Sequence, residues 1–161
     1  MPVERYPPAP ADGTFFLEDA EECLPGLSPL IAYGSNRSPQ VLRRKLPGVP
    51  VAAFAAVLRG WEAVHSSHVS PRGVVPATIV PREGAELDVH VLFLPSFEAL
   101  DAAEPDYDRV TLDGLDLRLD VLGLMPRAQA HVSRHDVLHV DGKPVPLGTL
   151  SQARLRASLT S

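Results

Sequence analysis

The sequence predicts an α+β fold, either a small mixed β-barrel or a strongly curved sheet with flanking helices. Segments with strand periodicity outnumber those with helical periodicity, and their connections mix hairpin turns with helical crossovers. The 161 residues also include 17 prolines spread along the chain, which favours short elements and frequent turns. We expect an extended or flexible N-terminal arm over residues 1–14 and a single domain over residues 15–161.

The first elements are predicted to be a strand, a polar loop and a helix. Residues 27–33 form an apolar run that stops at Gly34, Ser35 and Asn36. Ser38 before Pro39 is typical of a helix N-cap followed by proline at the first helical position. The loop therefore leads directly to a helix N-terminus, where unpaired backbone N–H groups can hold a carboxylate. The same residues are also compatible with a simple turn between two elements.

The middle of the chain is predicted to be rich in strands, followed by a short helix. Three segments have the composition or alternation of strands: residues 49–58, 77–80 and 86–94. Ser96 is the predicted cap of the helix that follows. This helix must end near Glu104, because Pro105 disfavours helical geometry in the residue before it.

The second half of the chain contains two predicted hairpins and a last helix. An Asp-Gly turn at residues 113–114 separates the alternating segments 107–112 and 115–121, which predicts that these two segments pair. A second hairpin is expected around Asp141 and Gly142. Leucines near helical spacing predict an amphipathic helix over residues 151–159.

Composition excludes several classes of function. The formal net charge of -5 argues against a nucleic-acid partner, and the basic cluster Arg43, Arg44 and Lys45 is interpreted as the solvated face of a helix. A single cysteine, Cys23, allows neither an internal disulfide nor a thiolate zinc cluster and fits a reducing compartment. No signal-like or membrane-spanning apolar run is present. We therefore expect a cytoplasmic chain, monomer or homodimer, with no membrane partner.

One loop and several downstream positions resemble a known family. Tyr33, Gly34, Ser35 and Asn36, followed by Leu42, resemble the tyrosine-glycine-serine-asparagine signature of the γ-glutamylcyclotransferase family. Further matches follow in the family's order: Ala77-Thr78-Ile79, the strand over residues 89–94, Leu100-Asp101, Glu104, Tyr107 and Arg109. The resemblance covers about residues 28–122.

The resemblance implies a fold, a reaction and a set of site residues. It implies a small mixed β-barrel with helices, and an intramolecular cyclisation of a γ-glutamyl group that releases 5-oxoproline and an amine or amino acid. Glu104 would be the catalytic acid–base residue, and the loop of residues 33–36 would bind the substrate. Tyr107 would orient Glu104 or the substrate, or would be an ordinary strand aromatic residue. No cofactor and no metal are implied.

Three positions differ from the family's usual residues. Arg37 stands where leucine is usual, and Pro105 and His90 each replace a glycine. Arg37 would either point into the cleft and pair with a substrate carboxylate or, as we expect, point into solvent. These differences support a second hypothesis, a non-catalytic member of the fold that binds a small carboxylate ligand or a partner protein.

Histidine spacing offers weaker candidates for a metal site. His65 and His68 lie close together in the sequence, but no third ligand has suitable spacing. His131, His135 and His139 would share one face of a helix, yet the residues around them have the pattern of a strand. The sequence therefore predicts no metal site, and it contains neither a dinucleotide-binding fingerprint nor a P-loop.

Overall fold

Ten strands and four helices make up the part of the chain that the computed structural model describes, residues 6–23 and 27–160. The strands are β1 Phe15–Leu17, β2 Ser28–Ala32, β3 Val51–His65, β4 Ala77–Leu94, β5 Tyr107–Leu112, β6 Asp116–Leu119, β7 Gly123–Leu124, β8 Ala128–Ser133, β9 His139–Val140 and β10 Lys143–Pro144. The helices are α1 Ala20–Cys23, α2 Pro39–Lys45, α3 Glu98–Ala102 and α4 Gln152–Thr160, with a 3-10 helix at Ser35–Arg37. Among these helices, none has both the length and the apolar character needed to span a bilayer.

Eight of the strands form one mixed sheet in the order β5-β8-β2-β4-β3-β6-β7, with β1 paired to β3. The β2–β8 pair is parallel, and the other pairs are antiparallel. The predicted mixed α+β fold, mostly sheet with few helices, is therefore confirmed. The barrel alternative is not found, because β5 and β7, at the two ends of this order, do not pair with each other among the described strands.

A long antiparallel ribbon, β3 with β4, forms the centre of the sheet. The predicted strands over residues 77–80 and 86–94 are parts of the single strand β4, and β3 extends beyond the predicted segment 49–58. The pairing register shifts between Arg59 and Trp61, where Gly60 has a φ of +82°. At Pro81, strand β4 pairs with β3 alone among the described strands, and proline is tolerated at such an edge position.

The two predicted hairpins have different outcomes. The prediction that residues 107–112 and 115–121 pair is wrong, because β5 pairs with β8 while β6 pairs with β3 and β7. A turn does exist at Gly114, with φ +66°, but it sends the chain to a distant part of the sheet. The second hairpin is confirmed: β9 pairs with β10 across Asp141 and Gly142, both with positive φ. The last predicted helix is confirmed as α4.

Helix caps were predicted with mixed success. The Ser38 side chain accepts a hydrogen bond from the Val41 amide at 3.4 Å, so the cap of α2 is confirmed. The Ser96 cap of α3 is wrong, because the N-cap residue is Phe97 and makes no side-chain capping bond. Helix α3 nevertheless ends before Glu104, as Pro105 requires.

Strand β2 is buried on both faces, which explains its uninterrupted apolar sequence. On one face, Leu30 packs in a cluster with residues of α2 and α3, including Leu42 and Leu100. On the other face, Ile31 belongs to a second cluster that includes Phe54. Helices α2 and α3 therefore pack on the Leu30 face of β2.

The topology brings distant loops together at the C-terminal end of β2. Strand β8 runs parallel to β2 and therefore ends on the same side. Strand β5 is antiparallel to β8 and begins with Tyr107 opposite Ser133. The loop after β2 therefore lies near the segment that joins α3 to β5, which contains Glu104.

The described part of the predicted N-terminal arm contacts the domain. The Ala11 amide donates to the Arg37 carbonyl at 3.3 Å, and His90 bonds the Gly13 carbonyl at 2.9 Å. The first five residues of the arm lie outside the described residues. The division into an arm and one domain stays a prediction.

Candidate functional site

A cavity of about 470 Å³ lies at the C-terminal end of β2. Its volume is within the range of small-molecule sites. The lining includes every site residue that the sequence predicted: Tyr33, Gly34, Ser35, Asn36, Glu104 and Tyr107. The structure therefore brings the predicted residues together, and their roles remain proposals.

Glu104 belongs to a closed ring of three polar side chains. Lys45 Nζ lies 2.7 Å from Glu104 Oε1 and 2.8 Å from Asn36 Oδ1, and Asn36 Nδ2 donates to Glu104 Oε1 at 3.2 Å. The Lys45 and Glu104 side chains are only 14% and 16% exposed. Both bonds to the carboxylate converge on Oε1, and within the described residues no hydrogen bond goes to Oε2. The ring fixes the carboxylate and leaves one oxygen for a ligand.

Lys45 is a correction to the sequence analysis, which placed it on a solvated helix face. It is the last residue of α2, and its long side chain reaches the cavity. An ammonium group with three donors can hold two acceptors at once. Here it bridges the Asn36 amide oxygen and the Glu104 carboxylate, which explains why an amide suits position 36: a carboxylate there would face Glu104 with like charge.

The glycine of the loop is required by a close approach. A Cβ atom built on Gly34 would lie 2.9 Å from the hydroxyl oxygen of Tyr6. That hydroxyl accepts a hydrogen bond from the Ala77 amide at 3.1 Å and also contacts Ser35. Tyr6 of the N-terminal arm is therefore part of the cavity wall, immediately beside the predicted substrate loop.

Three tyrosines around the cavity stay protonated at neutral pH. Burial raises the pKa of Tyr6 to about 12 and raises the pKa values of Tyr33 and Tyr107 still further. Tyr33 donates to the His131 carbonyl, and Tyr107 donates to the Ala77 carbonyl at 2.6 Å. The Tyr107 hydroxyl thus binds backbone and makes no described hydrogen bond to Glu104.

The leucine-aspartate pair of the motif anchors α3 against the sheet. Asp101 Oδ1 lies 2.7 Å from His131 Nε2 on β8, and Arg109 of β5 donates to the same carboxylate at 3.1 and 3.2 Å. Partial burial raises the pKa of Asp101, but the bonds from His131 and Arg109 outweigh it and hold the pKa below its usual value. The ionised Asp101 therefore holds α3, and with it the segment that contains Glu104, against strands β5 and β8.

Two arginines give the cavity a positive rim. Arg44 and Arg72 both line it, and neither has an ion-pair partner among the described residues. Desolvation lowers the pKa of the Arg44 guanidinium, and the nearby Arg72 lowers it further. Two like charges that lack ion-pair partners among the described residues favour an anionic group on a bound ligand.

Two of the three departures from the family pattern contact each other. Arg37 Nε donates to His90 Nδ1 at 3.1 Å, and His90 Nε2 donates to the Gly13 carbonyl at 2.9 Å. Arg37 therefore fits neither of the two alternatives from the sequence, because its side chain points neither into the cavity nor freely into solvent. Burial lowers the pKa of His90, and the Arg37 charge lowers it further, so the imidazole is neutral and this tautomer is fixed.

The remaining histidines are arranged differently from their spacing in the sequence. His65 bonds the Val75 carbonyl, and His139 bonds the Val137 carbonyl. His68 instead stacks on His135, with ring centroids 4.2 Å apart. The sequence analysis grouped His68 with His65, and His135 with His131 and His139, whereas the fold pairs His68 with His135. It also missed Lys45, Arg44, Arg72 and Tyr6 as cavity residues, because only the fold brings them to the loop.

Comparisons with known proteins agree on the fold. No protein-family model matches the sequence, and no curated protein matches it. The Arabidopsis thaliana protein At5g39720.1 is 25% identical, with a TM-score of 0.54 over 73% of this chain and 75% of that chain. A γ-glutamyl cyclotransferase is 16% identical, with a TM-score of 0.54 over 83% and 76%. The uncharacterized Homo sapiens protein loc79017 is also 16% identical, with a TM-score of 0.56 over 83% and 76%. The chain therefore has the fold of γ-glutamyl cyclotransferase.

Proposed function

We propose that the protein is a γ-glutamylcyclotransferase-type enzyme that converts a γ-glutamyl amide into 5-oxoproline and an amine or amino acid. The observation that supports this most directly is the position of Glu104. Its carboxylate is held by Lys45 and by Asn36 of the loop, and it faces a cavity large enough for a glutamyl group and a leaving group. The fold is the same as that of a γ-glutamyl cyclotransferase.

The reaction needs a group that takes up protons and then releases them. Glu104 Oε2 would accept a proton from the α-ammonium group of the substrate, and the freed amine would attack the γ-carbonyl carbon. The C–N bond to the leaving amine then breaks as the five-membered lactam closes. The ammonium loses two protons overall, and Glu104 would pass both in turn to the departing nitrogen, so the carboxylate is regenerated.

The loop and the cavity walls would hold the folded substrate. Among the backbone N–H groups at the start of the 3-10 helix Ser35–Arg37, that of Ser35 contacts the Tyr6 hydroxyl, and that of Asn36 would stabilise the developing oxyanion. The buried tyrosines would keep water away from the reacting atoms. A substrate held with its amine against its own γ-carbonyl reacts much faster than one that is free to extend.

The positive rim favours a substrate with a second carboxylate. Arg44 and Arg72 lie on the cavity wall without ion-pair partners among the described residues. They would bind the carboxylate of an amino-acid or peptide leaving group. We therefore propose γ-glutamyl amino acids or peptides as substrates in preference to γ-glutamyl derivatives of uncharged amines.

The test compares one carboxylate with a matched control. Purified native protein, Glu104→Gln and Glu98→Gln would be incubated with γ-glutamyl dipeptides, glutathione and γ-glutamyl amines, and 5-oxoproline would be quantified by mass spectrometry. Glu98 lies on the exposed side of α3, six residues before Glu104. We expect release by the native protein and by Glu98→Gln, and a loss of at least about 100-fold in Glu104→Gln. Equal release by both variants would exclude Glu104 as the acid–base group.

The alternative function is binding without catalysis. A non-catalytic member of the fold would use Arg44 and Arg72 to hold a small carboxylate ligand, or would bind a partner protein, and would leave every γ-glutamyl compound intact. Saturable binding of γ-glutamyl dipeptides by calorimetry, without 5-oxoproline release, would establish the ligand-binding form of this alternative.

A further inference from the structure

Three side chains with metal-ligand chemistry meet at the edge of the cavity, although they come from separate parts of the chain. His68 follows β3, Asp106 precedes β5 and His135 follows β8. One ligand atom from each lies within 4.8 Å of the others. Asp106 Oδ1 is 3.1 Å from His135 Nε2, and Asp106 Oδ2 is 3.7 Å from His68 Nε2. The carboxylate therefore faces one ring nitrogen of each stacked imidazole group.

An unpartnered nitrogen points into this cluster. Among the described residues, His68 Nε2 is the buried side-chain nitrogen or oxygen that has no hydrogen-bond partner. The side chain is only 7% exposed, so water does not readily replace the missing partner. A buried polar atom without a protein partner is unusual, and a bound ion or water is what commonly satisfies such an atom.

The other nitrogen of His68 is oriented by a chain of hydroxyl groups. His68 Nδ1 lies 2.7 Å from Ser66 Oγ, which lies 2.7 Å from Ser133 Oγ. Ser133 Oγ in turn accepts a hydrogen bond from the backbone amide of His135. Metal-binding histidines commonly use their second nitrogen in this way, which fixes the tautomer and directs the free nitrogen to the metal. The same chain ties the two histidine segments together.

The chemistry of the cluster selects a cation. A neutral imidazole presents a lone pair on the nitrogen that carries no proton, and in His68 the Nε2 atom is the nitrogen without a hydrogen-bond partner. An anion would be repelled by Asp106. Two imidazoles and one carboxylate form the ligand set typical of Zn²⁺ and related transition metals, whereas Ca²⁺ and Mg²⁺ prefer oxygen ligands alone.

We propose that His68, Asp106 and His135 bind a divalent transition metal, with Zn²⁺ as the best match. Bond lengths of about 2.0–2.2 Å require the three ligand atoms to move closer together. The exposed His135 ring must also rotate out of its stack with His68, because the lone pair of an imidazole nitrogen lies in the plane of its ring. Three protein ligands leave a coordination position open, and His68 and Asp106 both line the cavity. A carboxylate or carbonyl oxygen of the cavity occupant would fill that position. Metal binding does not depend on Glu104 or on the proposed reaction.

The test measures metal binding directly. Untagged protein, stripped of metal with a chelator, would be titrated with Co²⁺ while its visible d–d absorption is followed, and with Zn²⁺ by calorimetry. We expect saturable binding of one ion per chain, with the d–d bands of a site containing nitrogen ligands. Absence of saturable one-to-one binding of either ion would overturn the proposal.

Matched histidine variants identify the ligands. His135→Gln changes an exposed ring, so it should fold normally, and we expect it to weaken Co²⁺ and Zn²⁺ binding by at least about tenfold. His139→Gln removes another exposed histidine, four residues further on, and should bind like the native protein. Equal affinities in both variants would overturn the proposed ligand set. Glu104→Gln should keep full metal affinity even where its activity is lost, which separates this proposal from the proposed reaction.

Discussion

The bond between Lys45 and Glu104 should contribute strongly to stability, and a double-mutant cycle measures that contribution. The variants are Lys45→Met, Glu104→Gln and the combination of both. Each single change leaves one charged or polar partner in a largely buried place, whereas the double change removes both. The quantity of interest is the coupling free energy, which is the difference between the sum of the single effects and the double effect.

The magnitude follows from distance and exposure. The two groups are 2.7 Å apart, and their side chains are 14% and 16% exposed. Exposed ion pairs contribute about 0–1 kcal/mol, and removal of one partner from a fully buried pair costs about 3–5 kcal/mol. The Lys45–Glu104 pair lies between these limits, so we expect a coupling of about 2 kcal/mol. A single variant that loses about 2 kcal/mol of unfolding free energy should, in a chain of this length, unfold about 4–8 °C lower.

Urea unfolding followed by circular dichroism gives the free energies, provided that all four proteins share one slope with denaturant. The internal control is the pair Arg59–Glu86, at 3.3 Å, whose side chains are 58% and 59% exposed. Its cycle, with Arg59→Met and Glu86→Gln, should give less than about 1 kcal/mol. A Lys45–Glu104 coupling no larger than that of the control would refute the ring around Glu104 and the positioning that the proposed mechanism needs.

Two further predictions test the contacts of the N-terminal arm. Gly34→Ala would place a methyl group 2.9 Å from the Tyr6 hydroxyl oxygen and should lower the unfolding free energy by about 1–3 kcal/mol. In a Tyr6→Phe background, which lacks that oxygen, the loss measured by urea unfolding should be smaller. An equal loss in both backgrounds would show that Tyr6 does not occupy this position. Because the folded-state pKa of His90 is below its unfolded value, its contribution to stability is complete above about pH 6.5 and is lost as the pH falls through the folded pKa. The fall in unfolding free energy between pH 7 and pH 5 should therefore be smaller in His90→Gln, and an unchanged fall would contradict the neutral Arg37–His90 contact.

Local signals in the sequence were sufficient for the elements that surround the loop. The apolar run before Gly34 predicted β2, and Ser38 with Pro39 predicted the start of α2, because capping and backbone geometry are decided within a few residues. The end of α3 before Glu104 followed from Pro105 in the same way. These elements position the loop of residues 33–36 and Glu104, so the sequence could indicate where the site lies.

Strand pairing could not be predicted in the same way. The Asp113-Gly114 turn has the local chemistry of a hairpin, yet β5 pairs with β8 and β6 pairs with β3. Pairing depends on which apolar faces are buried together, and that is a property of the whole sheet. The same limitation hid Lys45, whose position in a basic cluster suggests solvent until the fold places Glu104 beside it.

The departures from the family pattern carry less weight against catalysis than their number suggests. Arg37 and His90 bond each other, and the pairing of β2 with β4 sets Ala32 opposite His90, which brings the residues just after β2 within reach of that ring. Two replacements that form one contact amount to a single change, and neither residue lines the cavity. Of the three departures, Pro105 alone lies on the cavity wall. Its rigid ring directly follows Glu104, so Pro105 is the departure that bears most directly on the proposed reaction.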